Sequence, residues 1–335
     1  MKKIETKVIF RCSGLGKIMT SPQGKTNAQK YADALESLAK AEAELEKCSA
    51  TALKTREKLE AKIPKLKAEI VELEKVKDEI LLSKTCRDYL KTMAIEIRYN
   101  RKKRIVNKYV KKGLAVEEQS IELYSEFKGE ALDNNKERLE NEFFTGETDL
   151  NWLDSLGQVS KVTDIKSSYD IDSFEDNRDE DAKKDNRLQL LGYCDLHNCQ
   201  SASVANVLTN NDYSLIMDEI RRETFNVKAD ELEGFEVPLK RVIEIAKDNI
   251  FDYVSFCEFL TDQYGSEIVR ILAKGEHSNE EAQEMFNSFV EVELQDRVIE
   301  IEIDRDEDEI NAIKERIKDC RKYLANKYNI HHVEG

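Results

Sequence analysis

Two acids and a lysine offer the most specific chemistry in the sequence. Asp164-Ile165-Lys166 lies in the run Ser160–Ser168, which reads as a strand. In a strand, residues i and i+2 face the same side, so Asp164 and Lys166 point together. Asp149 closes an earlier strand-like run, 142–150, and a turn containing Gly157 separates the two, so pairing lays Asp149 beside them. Upstream, Glu117 and Glu118 sit on a helix. Downstream, Gln189 and Tyr193 are four apart on another. Converging carboxylates repel and need a cation, and oxygen-only ligands favour Mg²⁺ or Mn²⁺ over zinc. A lysine in the same cluster suits a site where negative charge builds up during reaction. Together these groups could drive metal-assisted attack of water on a phosphodiester. A lone D-x-K carries little weight in so charged a chain. The ordered set of helix glutamate, Asp, D-x-K and Q-x-x-x-Y carries more. The competing reading is charged residues at strand ends.

The elements that must position these groups follow from composition and pattern. Of 335 residues, 36% are charged and 40% hydrophobic, with only 3 Pro and 12 Gly. Much charge, ample apolar material and few helix breakers imply long solvated helices. From 27 to 83 there is no Gly, and apolar side chains recur every seven residues at Tyr31, Leu38, Leu45, Ala52, Leu59, Leu66, Leu73 and Ile80. Leu35, Ile63, Ile70 and Val76 fill parts of a second row, giving a coiled-coil pattern that Pro64 should kink or split. A kinked helix or a hairpin arm is expected. Residues 84–128 read as two helices, the second beginning after Gly113. After the two strands come an acidic loop over 169–187, a helix from Asn186 to Cys194 and a third strand, Ala202–Leu208. Beyond 210 the chain is mostly helical, with one strand at 297–303 and a last helix at about 306–327.

Other functions are argued against. Seven scattered cysteines, an odd number, do not form a disulfide framework, and reduced thiols in a cytoplasm are expected. Cys194, His197 and Cys199 would need further ligands nearby to make a zinc knuckle, and none follow. The Ser-Gly-Leu-Gly-Lys stretch at 13–17 lacks phosphate-loop spacing. No apolar run is long enough to span a membrane, and the first residues lack a secretory apolar stretch. The net charge of −15 argues against nucleic acid, yet binding follows the local field. Residues 98–112, RYNRKKRIVNKYVKK, carry eight cations and no acid. With Tyr99, Ile105, Val106, Tyr109 and Val110 as a buried stripe, the cations would project together as a phosphate-contacting face. A plain solvated helix face is the alternative.

These pieces resemble a known family, the PD-(D/E)XK nucleases, in their phage-recombination, lambda-exonuclease-like branch. The matching stretches are Arg11-Cys-Ser-Gly-Leu-Gly-Lys-Ile-Met19, Lys112–Ile121, Thr145–Asp149, Thr163–Ser168 and Leu188-Gln-Leu-Leu-Gly-Tyr193. The resemblance implies an α/β fold, a central mixed sheet flanked by helices in a restriction-endonuclease-like core, and a divalent-metal nuclease. By it, Asp149 and Asp164 match the motif's acids and Lys166 its lysine. Glu117 matches the helix glutamate, with Glu118 the alternative, and Gln189 the family's glutamine. The Ile165 carbonyl would be a further metal ligand. Thr148 stands where proline is usual, and Asp164 where Glu is commoner.

The resulting expectation is a cytoplasmic, phage-type, Mg²⁺- or Mn²⁺-dependent DNA exonuclease of recombination or end processing. Its nuclease core would comprise 1–26 and 84–210, its coiled-coil arm 27–83 and its helical C-terminal region 211–335. Asp149, Asp164, Glu117 and the Ile165 carbonyl would hold metal, with Lys166 and Gln189 completing the catalytic set. Arg11, Ser13, Arg101, Lys102, Lys103, Arg104, Lys108, Lys112 and Tyr193 would hold DNA. The arm would assemble copies of the chain or a recombination partner. The alternative is a non-catalytic DNA-binding or scaffold protein that keeps the nuclease fold.

Overall fold

The structure, a computed structural model, describes residues 2–48, 52–77, 81–102, 108–178, 183–223 and 237–334. In chain order its elements are β1 (Ile4–Thr6), β2 (Phe10–Arg11), α1 (Leu15–Ile18), α2 (Asn27–Lys47), α3 (Leu53–Val76), α4 (Lys84–Tyr99), α5 (Lys108–Ala115) and α6 (Glu117–Lys128). Next come β3 (Leu139–Glu140), β4 (Phe144–Gly146), β5 (Leu150–Leu153), β6 (Val159–Ser167), α7 (Ile171–Glu175), α8 (Lys184–His197) and β7 (Ser201–Val207). The chain closes with α9 (Tyr213–Glu223), α10 (Leu239–Asn249), α11 (Tyr253–Tyr264), α12 (Ser266–Lys274), α13 (Glu280–Asn287), β8 (Val298–Asp304), α14 (Glu307–Tyr328) and β9 (Ile330–His332). It divides into two compact units. One holds Met1–Val8, Gly16–Lys102 and Ala312–Gly335, the other Ile9–Leu15 and Lys103–Asn311.

In the first unit, α2 and α3 form a helical hairpin. Asn27 bonds the Val76 carbonyl at 3.1 Å and Lys67 pairs with Glu42 at 2.8 Å, so the two helices run antiparallel. Thr26 and Gln29 close a capping box that starts α2. On α3, Leu59 and Ile70 are buried, with Ile63, Leu66 and Leu73 half-buried between and beyond them. On α2 the buried positions are Ala34 and Ala41, while Leu35 is exposed. Small residues there let the helices approach closely. Helix α3 runs on through Pro64 rather than being kinked or split there. The position 80 that ends the heptad series lies outside the described residues. Ser83 caps α4, whose buried Cys86 faces Cys320 of α14 with sulfurs 3.7 Å apart. Arg321 donates to the Val8 carbonyl at 3.0 Å, and β1 pairs in parallel with β9, Ile4 opposite Ile330.

In the second unit the main sheet has the order β5-β6-β7-β8. β6 and β7 are parallel, and β5 and β8 flank them antiparallel, so the sheet is mixed. Strand β7 is buried along almost its whole length, as a central strand covered on both faces must be. Ile121, Leu123 and Tyr124 of α6 pack against Leu150, Ala205, Val207 and Val298. Helix α8 packs against β4, β6 and β7. A smaller sheet, β2-β4-β3, joins Phe10 to Phe144 and Leu139 to Gly146. Helices α9 to α13 enclose a separate apolar cluster around Ile243, Phe256, Phe259 and Leu272.

Several boundaries differ from the sequence expectation. Among the described residues of 84–128 there are three helices. Gly113 lies inside α5, and Val116, with a non-helical ψ of 14°, divides α5 from α6. Within the stretch read as an acidic loop, Asp170 caps the short helix α7. Among the described residues no helix is long and apolar enough to cross a membrane.

Candidate active site

The site forms where the β5–β6 hairpin opens. Strand β4 ends at Gly146, so Asp149 lies in the turn that leads into β5 rather than closing a strand. Leu150 pairs with Thr163, which leaves the β5 side of Asp164–Ser167 without a strand partner in β5. Asp149 fills that place, and its Oδ2 accepts from the Ile165 N–H at 2.5 Å. Asp164 and Lys166 point together as their spacing requires, with Lys166 Nζ 2.6 Å from Asp164 Oδ2. The other Asp164 oxygen accepts from Gln189 Nε2 at 2.8 Å, and the same amide nitrogen lies 2.9 Å from the Tyr193 hydroxyl. Asp164 is buried, whereas the Lys166 side chain is 40% exposed and so gives the site an open side.

Charge explains the protonation behaviour of the pair. Burial, then the neighbouring Asp164 carboxylate, push the Asp149 pKa up to about 7, against the pull of the Ile165 N–H and Lys166. Glu117 adds to the same push. Burial works against the Lys166 ammonium, but Asp164 and Asp149 outweigh it and hold its pKa above the ordinary value.

Two glycines set the spacing of the supporting wall. A Cβ on Gly192 would come within 2.8 Å of Leu15 and 2.9 Å of Cys12. One on Gly146 would come within 2.6 Å of the Tyr193 ring. Residues 12–15, Gly146 and 192–193 are therefore close-packed: α8 lies against the turn at 12–14, and Tyr193 fills the space over Gly146. Tyr193 is buried there and braces Gln189, so it does not offer its ring to a nucleic acid as expected.

Lys112 is a second correction. It is 1% exposed, and its Nζ donates to the Thr209 carbonyl at 2.8 Å and the Tyr169 carbonyl at 3.2 Å. This cation fastens α5 to the segments that follow β6 and β7, so it is not part of a phosphate-contacting face. Arg98 is likewise engaged, donating to the carbonyls of Lys2 and Tyr328. Arg11, Ser13, Arg101 and Lys102 are exposed. Lys103 and Arg104, and the side chain of Lys108, lie outside the described residues.

Glu117 and Glu118 are exposed in the first turn of α6. Glu117 accepts from Asn134 Nδ2 at 3.3 Å. Asn135, next to it, bonds the segment carrying Asp149: its N–H donates to the Asp149 carbonyl at 2.7 Å, and its Nδ2 lies 3.0 Å from the Thr148 carbonyl. Sequence reasoning passed over this pair, because two asparagines in a polar connection look like any turn. Among the described residues no three His, Cys, Asp or Glu side chains converge as a metal-holding group, so the expected trio does not form a ready-closed cage. The donors nevertheless suit a small hard cation in kind. They are oxygens, and two of the carboxylates are held side by side where burial makes their repulsion costly.

No family model and no curated protein matches the sequence. Among solved structures, a phage-related exonuclease from Haemophilus somnus 129PT superposes over 96% of this chain and 95% of its own, at 21% identity and a TM-score of 0.51. The chain shares that fold. An alkaline exonuclease from Laribacter hongkongensis is more distant, at 10% identity and a TM-score of 0.41 over 74% of this chain. The same enzyme in complex with dAMP gives 11% identity and a TM-score of 0.38.

Proposed function

We propose that the protein is a divalent-metal-dependent DNA nuclease, an exonuclease of recombination or end processing, built on a restriction-endonuclease-like core. The observation that carries this reading is the seating of the Asp149 carboxylate on the Asp164–Ile165 peptide, with Lys166 ion-paired to Asp164. Asp149, Asp164 and the Ile165 carbonyl would hold Mg²⁺ or Mn²⁺, with Glu117 completing the set. In a strand the N–H and C=O of one residue point to the same edge, so the Ile165 carbonyl shares the side on which its N–H meets Asp149. A cation held there would supply a more acidic water and would neutralise charge on the phosphate.

The chain's own groups divide the remaining work. Gln189, braced by Tyr193, fixes the carboxylate plane of Asp164. The Lys166 ammonium, held charged by its carboxylate neighbours and open to solvent, sits where it can meet a scissile phosphate and offset charge that grows in the transition state. Arg11, Ser13, Arg101 and Lys102, with Lys103, Arg104 and Lys108, would contact the DNA backbone. The α2–α3 hairpin would engage a second copy or a partner protein.

The deciding experiment incubates purified protein with end-labelled linear DNA and with closed circular DNA, in Mg²⁺ and in EDTA. Mg²⁺-dependent loss of linear DNA alone supports an exonuclease. Cleavage of both supports an endonuclease. Binding without cleavage in any divalent cation supports the scaffold alternative and overturns the assignment.

A further inference from the structure

The turn that carries Asp149 lacks a backbone restraint of its own. Residue 148 is a threonine, which leaves φ free, and residues 147–149 belong to no strand. What fixes the turn is a segment between α6 and β3. Asn135 reaches both carbonyls that flank the Asp149 Cα. Its N–H takes the Asp149 oxygen at 2.7 Å and its Nδ2 the Thr148 oxygen at 3.0 Å. The same Nδ2 lies 3.1 Å from Thr148 Oγ1, and Thr148, fully buried, passes its own hydroxyl hydrogen to Asn151 at 2.6 Å. Asn135 is itself set by its own turn, its Oδ1 accepting from the Glu137 N–H at 3.2 Å. One residue earlier, Asn134 Nδ2 holds Glu117 Oε1. Adjacent side chains thus reach the backbone of one candidate metal ligand and the carboxylate of another.

We propose that Asn135 and Asn134 are positioning residues that set the distance between Asp149 and Glu117 before a cation arrives. The inference rests on the metal-dependent nuclease reading and adds two residues to it. Neither asparagine need touch the metal or the DNA. With both Asp149 carbonyl neighbours pinned, the carboxylate has only its own side-chain torsions with which to leave the Ile165 N–H. Releasing Asn135 frees the backbone as well, and a cation must then order the turn as it binds. Supporting residues around a metal typically account for about 10–100-fold in affinity.

The test compares wild type, Asn135→Ala, Asn134→Ala and Gln283→Ala. Gln283 is buried among the C-terminal helices, donating to the Leu272 carbonyl at 2.8 Å, and serves as a destabilised control remote from the site. Thermal unfolding is followed through a MgCl₂ titration without DNA, and cleavage of linear DNA through the same titration. We expect Asn135→Ala to raise the Mg²⁺ midpoint about 10-fold or more in both readouts. At saturating Mg²⁺ its KM for DNA should match wild type. Asn134→Ala, which loses one bond to an exposed carboxylate, should raise the midpoint several-fold. It carries the test alone if Asn135→Ala does not fold. Gln283→Ala should lower the melting temperature and leave the midpoint unchanged. Wild-type midpoints in the folded asparagine variants, or an equal shift in Gln283→Ala, overturn the inference while the nuclease reading stands. A wild-type protein that neither responds to Mg²⁺ nor cuts DNA sinks that reading and this inference with it.

Discussion

The Asp149 carboxylate rests on the peptide that joins Asp164 to Ile165, 2.5 Å from the nitrogen. One candidate ligand is thereby keyed to the backbone of the other, and the two cannot drift apart without breaking a charged hydrogen bond. Such a bond is worth about 1.5–3 kcal/mol.

Replacing Asp164 by Asn keeps the shape and an oxygen for Gln189 but removes a negative charge. We expect cleavage of linear DNA to fall at least about 10³-fold, some 4 kcal/mol of barrier. The melting temperature without metal should be unchanged or higher, since the like charge beside Asp149 is gone. Single-turnover cleavage and calorimetry check this. Wild-type cutting by a folded Asp164→Asn protein would remove Asp164 from the chemistry.

At Gly146 the space for a methyl group is already taken by the Tyr193 ring at 2.6 Å. Gly146→Ala should cost about 1–3 kcal/mol through forced shifts in a packed wall. Because Tyr193 braces Gln189, cleavage should fall as well. Urea unfolding and kcat are the measurements, and a variant as stable as wild type would contradict the packing.

Glu300 supplies an acid-side prediction. Burial alone would raise its pKa, but Lys128 at 2.5 Å, Lys161 at 2.9 Å and Ser203 outweigh burial and bring it down to about 2. A carboxylate depressed on folding stabilises fully above its unfolded pKa of 4.5, and that contribution fades as pH falls toward 2. Glu300→Gln should therefore cost about 1–3 kcal/mol at pH 7, with the gap to wild type closing below about pH 4. A gap that stays constant across that range would refute the charge argument.

The Lys112 pKa is also depressed on folding, but because burial disfavours its charged form rather than because partners favour it. Burial brings its pKa down to about 7 from 10.5. Between those values the unfolded chain binds the extra proton, so stability should rise as pH climbs from 7 toward 10. In Lys112→Met that rise should be weaker, and the salt dependence of DNA binding should not change. Charge reversal at Arg101, Lys102, Lys103 and Arg104, by contrast, should weaken DNA binding and flatten its dependence on log salt. Equal slopes for all three proteins would place the DNA elsewhere.

Much of the site was legible because its signals are local. The i, i+2 relation of Asp164 and Lys166, the four-residue spacing of Gln189 and Tyr193 and the burial of β7 depend on strand and helix periods. That helices α2 and α3 form was readable from the glycine-free apolar repeat, but not that α3 runs on through Pro64, where packed residues on either side override the proline. Lys112 was misread because a cation within a run of cations looks exposed. Only the carbonyls of Tyr169 and Thr209, distant in sequence, show that it is enclosed. Asn134 and Asn135 were missed for the same reason: their partners Glu117, Thr148 and Asp149 come together only in the folded chain.

The pairing of Ile4 with Ile330 bears on how the molecule is made. A ribosome releases about 5–20 residues each second, so β1 waits tens of seconds for the strand that completes its sheet. Helix α4 waits in the same way for the Cys320 segment against which Cys86 packs. The sheet that bears Asp164 and Lys166 lies in a unit whose last residue is Asn311, so its strands can all be paired while the first unit still lacks its closing pieces. A chain cut short after Asn311 should therefore keep a protease-resistant second unit while the residues of its first unit are digested.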